Sequence, residues 1–560
     1  MANVKPFYPS DTLLKLEFLI NGENSGLDNL VTEGKVRFEI NKIPFAKFTF
    51  ISSEEDYKEE TVSPLKKLFR KPEDPPLEIE VKIAFEKEMK TLFKGIVKSL
   101  DFEHEGCNVV AKIECKDKAL QLTRTSTEAE NNNQTFEEKL TTFTNNLTLG
   151  ENLSGQTWGS EHVTHNNTTA PWDYLIGFLD SIGMLVTLRN AEFNAVDVLQ
   201  TPPTPTYMAE NGINVHAFSG RVDPERRRSM VVIQHWDIET QATTTVTSEQ
   251  NTAENPHTVR IDQTNLQPAT VQRIADTMVA KSKIASIMGK VTTFGNLKAK
   301  IGDYIRFSKV NPEIDKEQLL ITTEEHSIQN GCWKTEFSYG LENERSFTEN
   351  TTTGINNSHA QLGQTNTVNG LQIGIVTQIV EDPNNQFRIK VRLPMLSESG
   401  EGVWARLATL QAANNMGSYF IPNIDDEVIV GCLGNNPDTP VILGSLYSSS
   451  RAMPFPITED NFIRGFVTKE ESKIILDDEK KSIEISTKKG NKITISEDLK
   501  GIVIEDENKN KITMDDQGII IESSKDLTLK AKSNIKIEGS AISGNASGNM
   551  ELKGSIINLN

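Results

Sequence analysis

The sequence predicts a mainly β protein: a strand-rich region over the first 350 residues, a small five-stranded barrel, and a C-terminal β-prism completed by copies of the same chain. Three observations carry that prediction. Apolar and polar residues alternate with period two through much of the first region. Five short apolar runs separated by turn residues fall within 371–447. The last 94 residues repeat isoleucine-rich bursts every 7 to 10 residues, without a Pro, His, Cys, Phe, Tyr or Trp among them.

In the first region the segments Leu14–Ile20, Lys35–Ile40, Leu77–Ile83 and Val109–Glu114 alternate, as strands do when one face is buried and the other is wet. Two stretches change to helical spacing. Trp172, Leu175, Ile176, Leu179 and Ile182 predict a helix over Pro171–Met184, and Val271, Ile274, Met278 and Ile284 predict another over about Pro268–Met288. Between and around them lie Asn- and Thr-rich stretches with too little apolar material for a core. Thr127–Thr169 reads as a long loop or lid, Thr240–His257 as an inserted loop and Glu349–Gly370 as a linker. The runs Ile373–Val380, Phe387–Leu393, Val403–Leu407, Val428–Leu433 and Val441–Leu446 then suit a Greek-key barrel of the OB type.

The tail holds 17 isoleucines from Val467 onward. Each burst offers only two or three inward aliphatic side chains, too few to close a core alone. Either one chain coils with three strands per turn, or three chains wind together and each forms one side of a triangular prism. The second solution pairs the strand edges between chains and fills a narrow axis with β-branched side chains, and it is the one favoured here. Its predicted core is Ile483, Ile485, Ile493, Ile495, Ile502, Ile504, Ile512, Ile519, Ile521, Leu527, Leu529, Ile535 and Ile537.

Composition excludes several functions. The formal charge of −19 disfavours general nucleic-acid binding, because the chain repels phosphate. No apolar run reaches the length of a membrane span, and Met1 to Ile20 lacks the pattern of a signal peptide. The four cysteines form no C-x-x-C pair and read as thiols of a reducing compartment; Cys107 and Cys115 could lie on adjacent strands. His162-x-x-His165 has no clear third ligand and reads as two loop histidines. Arg226-Arg227-Arg228 could bind phosphate, but a solvated turn or an intersubunit ion-pair donor fits an acidic protein better. Asp477-Asp478-Glu479 and Glu505-Asp506-Glu507 could be paired glycosidase carboxylates; lying at repeat turns and alternating with lysines, they read as solvated corners. No catalytic, cofactor or metal residue is predicted, and the protein is not expected to be an enzyme.

The barrel sequence resembles the VgrG spike proteins of type VI secretion, a family that fuses the hub and the central spike of a contractile phage baseplate. The residues carrying the resemblance are Gly374, the turn Glu381-Asp382-Pro383, Phe387-Arg388 through Pro394, Trp404-Ala405-Arg406, Gly417 through Pro422, Asp426-Glu427-Val428, Pro437-Asp438-Thr-Pro440 and Gly444. The first 350 residues resemble the hub more weakly, through Phe93-Lys-Gly95, the Trp172-Asp-Tyr-Leu175 helix, Gly302-Asp303 and His326…Trp333. Two turn positions depart from the family: Phe387 stands where Gly is common before Arg, and Asn435-Asn436 where Gly-Asp is common. Ser448–Gly465 is too short to hold the lysozyme domain of the phage spike.

The resemblance implies a phage-hub-like region of two β-barrel domains (1–350), a linker (351–370), an OB-fold barrel (371–450), a connector (451–465) and a triple-stranded intertwined β-prism or β-helix (466–560). It implies a homotrimer that adapts a hexameric, Hcp-like inner tube to a threefold needle, contacts baseplate proteins and carries effectors. It further implies assembly in the bacterial cytoplasm, then membrane contact only by mechanical puncture. Because the needle lacks His and Cys, a separate PAAR-like tip protein is expected at Ile556, Ile557 and Leu559. The alternative is a tail spike that binds or degrades polysaccharide, which predicts aromatics and paired carboxylates along the repeat.

Overall fold

The computed structural model describes residues 14–58, 63–71, 73–124, 134–154, 169–238, 240–248, 257–261, 266–342, 368, 370–396 and 400–558. It divides at Leu446 into two compact units. In the first, the alternating segments are strands. Leu16–Ile20 buries Leu16, Phe18 and Ile20, while Glu17 and Leu19 stay half-covered, as period two requires. The main sheet runs in the order Val215–Val222, Ile287–Phe294, Cys332–Tyr339, Gln318–Gln329, Val31–Glu39, Phe45–Ser53, Asn108–Lys116, Glu88–Glu105, Glu78–Phe85 and Leu16–Ile20.

This one sheet serves two cores. The first packs Phe18, Phe38, Phe48, Phe50 and Phe93, with the Phe18 and Phe48 rings edge to face at 5.1 Å. The second packs Ile305, Phe307, Phe337 and Tyr339. Their seam is the antiparallel pairing of Val31–Glu39 with Gln318–Gln329, where Val36 faces His326 and Phe38 faces Glu324. Tight turns keep the registers: Asn330 and Gly331, both at positive φ, join Gln318–Gln329 to Cys332–Tyr339 in a two-residue hairpin.

Both predicted helices form, and both are shorter than their periodicity implied. The first spans Pro171–Ser181 and the second Pro268–Ala285, each with Pro in its first turn. Gly183, at φ 83°, ends the first so that Met184 can start a strand. Ile287–Met288 is claimed by the main sheet rather than by the second helix. The first helix buries every residue except Asp173, so it is a core helix and not an amphipathic one.

Two stretches read as loops carry structure. Within 127–169, Phe136–Phe143 is a helix opened by a capping box, in which Thr135 Oγ1 accepts from Glu138 N–H and Glu138 accepts from Thr135 N–H; Phe136 and Leu140 are buried. Within 240–257, Ala242–Thr247 is a strand paired with Val231–Asp237, since its threonines are β-branched and suit a pleated surface. Most of 349–370 lies outside the described residues.

The five runs of the barrel close into one ring. Gln372–Gln378, Ile389–Arg392, Val403–Leu407, Pro440–Ser445 and Glu427–Cys432 pair in that order, all antiparallel except Val403–Leu407 with Pro440–Ser445. Val376, Val391, Ala405, Val428, Val430 and Ile442 fill it.

The second unit is a seven-stranded antiparallel meander over Ile463–Val467, Lys473–Asp477, Ser482–Ser486, Lys492–Ser496, Gly501–Glu505, Lys511–Asp515 and Gly518–Glu522. Each strand pairs with its sequence neighbours, so the single chain does not coil with three strands per turn. Among the described residues after Glu522 there is no strand; the bursts at Leu527–Leu529, Ile535–Ile537 and Met550–Leu552 have no intrachain pairing.

Candidate functional site

In the tail, the strand registers place the isoleucines opposite one another. Ile483 faces Ile495 and Leu476; Ile485 faces Ile493 and Ile474; Ile493 and Ile495 face Ile504 and Ile502; and Ile512 faces Ile504 and Ile521. Because alternate residues share a face, all of these side chains form one aliphatic surface, with Glu484, Thr494 and Thr513 on the other. The chain itself leaves that surface open: Ile483 is 41%, Ile485 47% and Ile495 46% exposed. Ile502 and Ile512 are half-buried, and Ile519, Ile521, Leu527, Leu529, Ile535 and Ile537 are exposed, as are Ile556 and Ile557 at the far end. Leu559 lies outside the described residues. A sheet with one dry face uncovered is incomplete in water, so the tail is a surface awaiting a partner.

The carboxylates between these strands shape turns. Asp506 accepts from the backbone N–H of Asn508 and Asn510, both at 2.9 Å, and from Asn510 Nδ2 at 2.7 Å. Asp477 accepts from Lys480 N–H at 3.0 Å. Lysines pair across the turns, Lys488 with Glu471 at 2.8 Å and Lys500 with Asp516 at 3.2 Å.

In the barrel, the structure brings Asp382 and Arg388 together. The Asp382 carboxylate accepts from the backbone N–H of Asn384, Gln386 and Arg388 and from the Arg388 guanidinium at 2.7 Å. Burial pushes its pKa up, but the guanidinium and the three N–H groups outweigh that and hold it down to about 2. Pro383 lies inside the same turn. Trp404 sits under the Lys390 ammonium, 5.8 Å from its ring centre, and Lys390 pairs with Glu401 at 2.6 Å; Lys390 lies in the run that carries the family resemblance, whereas Glu401 did not stand out in the sequence. Arg406 is exposed opposite Val441, Pro422 is buried, and Glu427 opens a strand. Pro437, Asp438 and Pro440 form a second turn, where Asn436 Oδ1 accepts from Asp438 N–H at 2.9 Å. Gly444 faces open space. These residues build two turns and do not converge on one pocket.

Both departures from the family pattern fall on left-handed backbone. Phe387 has φ 57° and Asn435 φ 60°. Asn tolerates that region; Phe does not. Phe387→Gly should therefore stabilise the barrel by about 0.5–1 kcal/mol, the relief of about 1–2 kcal/mol of strain exceeding the entropy of glycine. Calorimetry should find the barrel transition raised by a few degrees. A lowered transition would show that the Phe387 ring, 94% exposed in this chain, is covered by something outside it.

The first unit holds a buried network around His326 and Trp333, which the sequence singled out only as points of resemblance, and its partners Glu324 and Arg189 did not stand out there. Glu324 Oε2 accepts from Arg189 Nη1 at 2.7 Å and from Ile301 N–H at 3.0 Å, while Oε1 lies 2.7 Å from His326 Nε2. Trp333 Nε1 donates to His326 Nδ1 at 3.3 Å, and Thr335 Oγ1 is 3.0 Å from the same atom. Thr, His and Glu thus stand in a hydrogen-bonded row, yet all three side chains are fully buried, so no substrate reaches them. Burial raises the Glu324 pKa; Arg189 and His326 outweigh it and hold it near 2. The network ties the strand Met184–Arg189 to the main sheet.

Other singled-out residues separate. Cys107 is exposed at a hairpin turn and Cys115 buried within Asn108–Lys116, so they do not face each other across strands. His162 and His165 lie outside the described residues, and among those described no three His, Cys, Asp or Glu side chains gather as metal ligands. No described helix is long and apolar enough to cross a membrane.

Three protein families match consecutive parts of the chain. Residues 10–329 match the Alg8 N-terminal domain, 372–447 the type VI secretion system/phage-baseplate injector OB domain, and 482–554 the phage baseplate V C-terminal trimerisation domain. The type VI secretion spike protein VgrG1a of Pseudomonas aeruginosa is 36% identical over 61 residues, 11% of this chain and 10% of that protein. VgrG3 of Vibrio cholerae is 35% identical over 80 residues, 14% and 8% respectively. The chain thus aligns with about a tenth of the length of these relatives. A chain of the Francisella PdpA–VgrG complex, in its half-lidded form, shares the fold at a TM-score of 0.51 and 11% identity, over 92% of this chain and 89% of that one.

Proposed function

We propose a function from one premise: the chain belongs to the VgrG and phage-baseplate spike family, residues 10–329 being an Alg8 N-terminal domain, and is a spike component of a type VI secretion or phage-like injection system. In this reading it is the central spike itself, a homotrimer whose hub adapts a hexameric inner tube to a threefold needle. Sheath contraction drives the needle through the target envelope. The observation that supports this is the open isoleucine face, which lies in the stretch matched by the trimerisation domain. Three such faces turned toward one axis would bury each other and leave the charged turns in water. The pairing of every strand with neighbours makes such a rod slow to unravel, which a puncturing tool needs.

The working divisions are hub 1–350, linker 351–370, barrel 371–450, connector 451–465 and needle 466–560. A PAAR-like protein caps the end at Ile556, Ile557 and Leu559, and baseplate proteins and effectors attach to the assembled trimer. The particle forms in the bacterial cytoplasm and acts outside it. No step of this function calls for catalysis. Light scattering on the purified chain should give about three times 62.4 kDa, and electron microscopy a threefold rod. A monodisperse 62.4 kDa species at micromolar concentration would sink the proposal.

A further inference from the structure

The arginine run Arg226–Arg228 finds a setting that the spike reading does not use. A cleft of about 760 Å³ lies between the helix Pro268–Ala285, the start of the strand Gln318–Gln329 and the segment Val198–Pro202. That volume is in the range of sites that hold a ligand or a short peptide. Its floor is aliphatic, with Val198, Val279, Ile284, Leu319 and Leu320. Its rim is cationic: Arg227, Arg228, Lys283 and Lys316 stand against Asp276 and Glu317.

The rim is built from residues far apart in sequence and held in place by the fold. Arg226 is used internally, its guanidinium beside Asp223 and donating to Glu342 O at 2.7 Å. The backbone N–H of Arg228 donates to Ser282 Oγ on the helix at 2.9 Å, which places Arg227 and Arg228 over the same groove as Lys283. Lys316 comes from the opposite wall, and its pair with Glu313 is solvent-exposed and weak. In a chain where acids outnumber bases 78 to 59, a cleft whose rim is net positive runs against the general field. Gln200, Thr201 and Gln318 add amide and hydroxyl groups of the kind that pair with a peptide backbone.

We propose that this cleft binds an acidic, aliphatic peptide segment of a partner protein, its carboxylates met by Arg227, Arg228 and Lys283 and its aliphatic side chains by the floor. The proposal rests on charge and shape and does not depend on the spike reading. A lipid headgroup would use the charge but leave the amide-lined wall idle.

The test probes a random heptapeptide array with the full-length chain and with R227E/K283E, both exposed positions, after confirming equal thermal melting. Selected peptides should be enriched in Asp or Glu together with Leu, Ile or Val. A selected peptide should lose about tenfold or more in affinity in R227E/K283E and again in Ile284→Asp, and should weaken with salt. Selection without acidic enrichment, or equal binding by the charge-reversed chain, would overturn the proposal. So would phosphatidylserine vesicles that sediment the wild type but not R227E/K283E while no peptide is selected; that result gives the cleft to a lipid surface.

Discussion

Ile495→Asp should abolish assembly of the full-length chain, leaving a 62.4 kDa species where the wild type scatters as a trimer. Ile495 lies in the middle of the aliphatic face, opposite Ile483 on one side and Ile502 on the other. In a threefold prism, each copy would place one new carboxylate near the axis, among side chains that offer it no hydrogen bond. Desolvating an unpaired carboxylate costs several kcal/mol, and three close together also repel one another. The control is Thr494→Lys, one residue away but on the opposite face across from Glu484. It should leave the mass of the assembly unchanged. If both variants stay trimeric with unaltered melting, the isoleucine face is not the interface.

Glu324→Leu should lower the stability of the hub by about 3–5 kcal/mol, the range found when one partner of a buried ion pair is removed. The loss has three parts: Arg189 is left without its carboxylate, Ile301 N–H without its acceptor, and His326 Nε2 without its partner. Arg189→Met combined with Glu324→Leu should recover part of it, since the double change removes the stranded charge. The hub transition in calorimetry is the readout; a shift of less than a degree would mean that the network is a passenger. The same carboxylate sets an acid limit. Its folded pKa, near 2, is below the unfolded value of about 4.3. Its contribution is therefore fully present above about pH 4.3 and falls away as pH drops toward 2. Asp382, also held near 2, behaves the same way in the barrel.

What could be read from the chain followed from local rules. Period two marked the strands at Leu16–Ile20 and Asn108–Lys116, and five runs marked the barrel, because a half-buried strand must alternate whatever it pairs with. Where the reading missed, a weaker local signal was overlooked or a distant partner decided. The Thr135–Glu138 capping box announced a helix inside a stretch dismissed for its polarity. The threonines of Ala242–Thr247 became a strand only because Val231–Asp237 lies beside them. Ile287 and Met288 left their helix for the sheet, where they face Val222 and Arg221, and that pairing outweighs one more helical turn.

By itself, then, the sequence determined the β character, the barrel and the isoleucine repeat, all of which rest on the spacing of apolar side chains. Only the tertiary structure decided which distant groups meet. Glu324 is a buried anion because Arg189, 135 residues away, folds back onto it. Arg227 and Lys283 share a cleft because Ser282 holds the backbone of Arg228. Phe387 is strained because its turn must let Asp382 gather three backbone N–H groups. Spacing is written along the chain, whereas burial and charge pairing depend on what the fold sets alongside, which one-dimensional periodicity does not encode.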